Sequence, residues 1–85
     1  MRFVLRRMLN KLLADGELTP AQVAAVRQIK WRPRLFAALS DRTEEFVDDE
    51  GINATAIGDG KFLEWLWENR EAILGFILKI VDLFS

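Results

Sequence analysis

Between Lys61 and Ser85 apolar and polar positions separate at helical spacing, but very unequally. On a wheel at 100° per residue, Lys61, Glu64, Glu68, Glu71, Gly75, Lys79 and Asp82 share one narrow stripe. Phe62, Leu63, Trp65, Leu66, Trp67, Ile73, Leu74, Phe76, Ile77, Leu78, Ile80, Val81, Leu83 and Phe84 fill nearly all the rest, about two thirds of the circumference. A surface helix of a globular protein has an apolar face only somewhat wider than about 100°. The pattern therefore predicts one long C-terminal helix over 61–84 that must lie in a core, in an oligomer or against lipid.

Upstream, residues 2–14 read as an amphipathic helix. Val4, Leu5, Met8, Leu9 and Leu12 follow helical spacing, with Arg2, Arg6, Arg7, Asn10 and Lys11 opposite. Phe3 falls on the polar side and is the one misfit. Gly16 is the natural stop, because a left-handed C-terminal cap is least strained at glycine. Thr19 can then cap the next helix, with Pro20 at its first position and Gln22 closing a Thr-x-x-Gln capping box. Leu18 and Val23 stand where a hydrophobic staple requires them. This second helix should span 20–31 with Val23, Val26 and Ile29 inward, until Pro33 forces Arg32 out of helical conformation.

A third helix over 34–49 displays Leu35, Phe36, Leu39, Phe46 and Val47, either unbroken or interrupted at Ser40-Asp41. Its end carries Asp48, Asp49 and Glu50, although a helix C-terminus favours cations. Residues 51–60 read as a connector, and Gly58-Asp59-Gly60 launches the last helix. The fold class expected is all-α: one small domain over 1–85, a bundle of four or five helices with the C-terminal one central.

Composition sharpens this picture mainly by exclusion. The 85 residues contain no cysteine, histidine or tyrosine. That removes disulfides, thiolate zinc sites, the commonest general base and every catalytic arrangement that depends on Cys or His. No reaction centre, cofactor site or metal site is expected, and no small-molecule substrate. Apolar residues make up 51% of the chain, high for a small monomer, which points to a partner covering part of the surface.

Charge is nearly balanced overall, at −1, but divided along the chain. Residues 1–34 carry eight basic side chains against two acidic, a net of +6, and residues 35–85 carry four against eleven, a net of −7. Such halves can pair within a fold or head to tail between copies, or they can form two solvated faces. The expected pairing sets Arg6, Arg7, Lys11, Arg32 and Arg34 against Asp48, Asp49 and Glu50. The interleaved charges of residues 1–14 do not form an export signal. Glu64, Glu68, Arg70, Glu71, Lys79 and Asp82 keep the last helix from offering the roughly 20 apolar residues of a membrane span.

Candidate motifs resolve into structural features. Asp15-Gly16-Glu17 resembles part of a calcium-binding loop, but Lys11, Leu13 and Gln22 occupy positions that must supply oxygen ligands or the bidentate glutamate. The acidic run Glu44, Glu45, Asp48, Asp49 and Glu50 is spread along a helix rather than converging on an ion. Arg27, Lys30, Arg32 and Arg34 with Trp31 could grip a phosphate backbone, yet no base-reading motif accompanies them. Nucleic acid is therefore not the expected partner, and Trp31 reads as an anchor in a core or an interface. Arg70 projects from the apolar arc of the last helix, where a buried guanidinium requires an acid or a carbonyl.

The segment Phe62-Leu63-Glu64-Trp65-Leu66-Trp67-Glu68-Asn69-Arg70-Glu71, continuing Ala72-Ile73-Leu74-Gly75-Phe76-Ile77-Leu78-Lys79-Ile80-Val81-Asp82-Leu83-Phe84, resembles the ends of small proteins of tailed bacteriophages. The resemblance covers this tail alone and brings no catalytic motif. It implies a virion or assembly component, found in a virion or a host cytoplasm, whose partner is itself or a larger protein assembly. The expected interface, with protein or lipid, comprises Trp31, Phe62, Trp65, Leu66, Trp67, Arg70, Leu74, Phe76, Ile77, Ile80, Val81 and Phe84. Two further readings stand beside it. One is a protein active at a membrane surface, lysis-related or bacteriocin-like. The other is a small regulatory or inhibitory binding module.

Overall fold

A computed structural model describes residues Met1–Ser85 and contains six helices and no strand: α1 (Arg2–Asp15), α2 (Pro20–Trp31), α3 (Pro33–Asp49), α4 (Ala54–Ile57), α5 (Asp59–Glu68) and α6 (Arg70–Phe84). The first two helices follow the sequence pattern closely. α1 buries Val4, Leu5, Met8, Leu9 and Leu12 and ends on Gly16 at φ 77°, the left-handed cap that glycine tolerates. At the start of α2 the Thr19 amide donates to Gln22 Oε1 (3.0 Å) and the Gln22 amide donates to Thr19 Oγ1 (3.2 Å). Two orphan amides of the helix start are thus satisfied reciprocally. Arg32 is extended at φ −114°, ψ 106°, as Pro33 demands, and the chain turns there into α3.

α3 runs without a break through Ser40-Asp41. Ser40 and Thr43 are buried on the same side as Leu35, Phe36, Leu39 and Val47, so packing holds the helix where local capping signals would permit a restart. The connector also holds more structure than expected. Asn53 Oδ1 accepts from the Ala56 amide (3.1 Å) and caps the single turn of α4.

The expected single C-terminal helix is two helices, divided at Asn69. The Asn69 amide donates to the carbonyls of Trp65 and Leu66 (both 3.1 Å), and its side-chain Nδ2 donates to Trp65 O (2.9 Å). Asparagine competes for backbone partners in this way and so favours helix ends. The division lets the halves find different neighbours. α5 packs on α1, whereas α6 packs on α2 and α3. The helical phase survives the break: Lys61, Glu64, Glu68, Glu71, Gly75, Lys79 and Asp82 are all exposed.

The core is one cluster to which α1, α2, α3, α5 and α6 all contribute, with Phe62, Leu66, Ile73 and Ile77 at 1% exposure or less. Phe46 of α3 joins both halves of the tail, its ring centroid 5.4 Å from those of Trp65 and Phe76. The accessible surface, 5340 Å², matches the roughly 5,200 Å² of a folded monomer of 9.8 kDa. The radius of gyration, 12.1 Å, is likewise that of a single packed domain, about 12 Å. One copy closes its own core.

Candidate interaction surface

That closure corrects part of the expected interface. Phe62, Leu66, Leu74, Ile77 and Ile80 are buried within the chain, held there by α1, α2 and α3, and are not free to meet a partner. Trp65, Trp67, Arg70, Phe76 and Val81 are half-buried around that core. Of the twelve residues, only Trp31 (78% exposed) and Phe84 (48% exposed) lie open to solvent.

Phe84 occupies an instructive position. It continues the stripe of Ile73, Ile77 and Ile80, four residues beyond the last of them, and so faces the side on which α6 packs. Ile73 and Ile77 are fully covered, Ile80 nearly so, and Phe84 only half. The core-facing stripe of α6 thus runs past the cover that its own chain provides. Trp31, at the end of α2, bounds the same open groove, together with Arg32, Pro33, Arg34 and Leu35. Leu83 (71% exposed) lies in an adjoining groove with Arg42, Phe76, Lys79 and Ile80. This end of the bundle is apolar and cationic. Leu83 was not among the expected contacts, although the wheel places it in the apolar arc, at the edge next to Lys79.

Several cations expected to meet carboxylates rest on aromatic rings instead. Arg6 lies 4.7 Å from the Phe36 ring centroid, Arg7 5.9 Å from that of Phe3, and Lys11 4.7 Å from that of Trp67. Ring faces attract cations at such distances by about 0.5–1 kcal/mol at exposed sites. Arg70 finds the carbonyl that its position calls for. Its Nη1 donates to Trp67 O (2.9 Å), left open by the break at Asn69, while the guanidinium lies 4.9 Å from the Trp67 ring centroid. Arg42 makes the one ion pair of the chain, 3.9 Å from Glu45, and its guanidinium also lies 4.2 Å from the Phe76 ring centroid. Arg32, Arg34, Asp48, Asp49 and Glu50 are exposed and pair with nothing within the chain.

At the far end of α3 a cleft is bounded by Met1, Glu44, Val47, Asp48, Ile52 and Ala54. Asn53 and Thr55 complete its lining, so the cleft sets two carboxylates and two neutral polar side chains among four apolar residues. No three carboxylates of the chain converge as a metal site would require, and no helix is long and apolar enough to cross a membrane. Compared with models of known families, with curated proteins and with solved structures, the chain matches none.

Proposed function

We propose that this chain is a non-enzymatic assembly protein that docks through the apolar, cationic end of its bundle. The observation that carries this reading is the half-exposed Phe84 on the core-facing stripe of α6, beside a Trp31 that the chain leaves uncovered. A chain that closes the rest of its core has no use of its own for these two aromatics in water. Tryptophan and arginine are the residues most enriched among those that dominate binding energy, and Trp31, Arg32 and Arg34 adjoin here. The resemblance of residues 62–84 to the ends of small bacteriophage proteins supports placing this assembly in a virion or its morphogenesis. Light scattering from low to high micromolar concentration, without detergent, tests the reading for self-association. The expected result is a mass that rises with concentration, and a constant 9.8 kDa would refute it.

A second reading draws on the same groove. Aromatic rings flanked by arginines also suit an anionic lipid surface, where the rings enter the interface and the guanidinium groups stay at the headgroups. Flotation with anionic and neutral vesicles separates the two. Binding that requires anionic lipid and is lost in Trp31→Ser favours the membrane, and protein that stays at the bottom of both gradients excludes it.

A further inference from the structure

The charges of α3 are set against the helix's own interest at both ends. Its first turn contains Arg34 and no acid, following Arg32, which caps the helix with no side-chain hydrogen bond. Its last turn contains Asp48 and Asp49 and no base, followed by Glu50. Helix N-termini favour anions and C-termini favour cations, so each end carries the wrong sign. At 1.5 Å per residue, the 17 residues of α3 separate these ends by about 25 Å. The one ion pair of the chain, Arg42–Glu45, compensates neither.

Each end also has some apolar surface: the exposed Trp31 and Phe84 at the basic one, the half-buried Ile52 and Ala54 at the acidic one. We propose that these ends dock on each other between copies, the Trp31–Arg32–Arg34–Phe84 end of one seated in the Glu44–Asp48–Ile52 cleft of the next. The proposal rests on the assembly reading above and names its partner as a second copy of this chain. A lipid surface would engage the basic end alone and repel the acidic one, whereas a second copy uses both. Because the two surfaces differ, the contact is heterologous, and repetition closes into a ring or continues as a filament.

Two charge-reversed proteins test it: Arg32→Glu/Arg34→Glu and Asp48→Arg/Asp49→Arg. All four positions are exposed, and circular dichroism should show unchanged helix in both. Alone, each is expected to self-associate at least about tenfold more weakly than the natural sequence, since like charges then face each other. An equimolar mixture should regain assembly, because each altered end now meets a complementary one. Assembly of the natural sequence should also weaken as salt rises, as expected for partly exposed charges. A mixture that does not recover, or reversals without effect, overturns the head-to-tail pairing while leaving the concentration-dependent mass of the natural sequence, and so the assembly reading, intact. A natural sequence that stays monomeric overturns both. Asp48→Asn/Asp49→Asn adds a readout independent of assembly. It should raise the melting temperature while weakening association, and a lower melting temperature would remove the premise that these acids oppose their helix.

Discussion

Ile77→Ala is expected to cost about 2–5 kcal/mol of stability, much of what a domain of this size possesses. Ile77 is fully buried on the face of α6 that meets α2 and α3, so truncation leaves a cavity among elements that cannot easily collapse into it. In a thermal melt followed by circular dichroism, the midpoint should fall by at least about 8 °C. Leu78→Ala provides the contrast, because Leu78, next to Ile77 in sequence, is 40% exposed. That substitution should stay within about 0.5 kcal/mol of the natural sequence. Equal losses from the two would mean that α6 is not oriented as described, and no loss from either would mean that its apolar arc packs outside the chain.

Trp31→Ser/Phe84→Ser should have the opposite signature, with folding spared and association lost. Neither residue supports the core, and removing exposed aromatic surface leaves the melting temperature unchanged or higher. Aromatic anchors at an interface contribute about 1–2 kcal/mol or more each, so self-association should weaken by about 100-fold in sedimentation equilibrium. Phe3→Ser is the control for nonspecific stickiness. Phe3 is 68% exposed but lies near the start of α1, its ring close to Arg7. A Phe3→Ser protein that loses association equally would reduce the contact to general apolar adhesion.

Local signals carried most of the fold. The capping box at Thr19 and Gln22, the glycine stop at Gly16 and the α1 stripe need only neighbouring residues to form, so the sequence displays them in full. The break at Asn69 was hidden because the wheel keeps its phase through it. What divides the helix is that α5 must reach α1 while α6 must reach α2 and α3, a tertiary demand absent from any periodic pattern. The same limit applies to the interface. A broad apolar arc announces burial without saying whose atoms supply it, so Phe62, Leu66 and Ile77 look the same as Phe84 until the ends of the neighbouring helices are known. Arg6 and Lys11 are matched to acids by charge alone, whereas in the fold they settle on the Phe36 and Trp67 rings; the carbonyl that Arg70 requires as one of two options is that of Trp67.

Hydroxyl-radical footprinting across a dilution series measures the cover over Trp31 and Phe84 side chain by side chain. If the bundle docks through this end, both residues should be protected at concentrations where the mass has risen and should regain full reactivity on dilution. Phe3 should react equally throughout. Trp31 and Phe84 that stay as reactive in the assembled protein as in the dilute one, or protection confined to Phe3, would contradict docking through this end of the bundle.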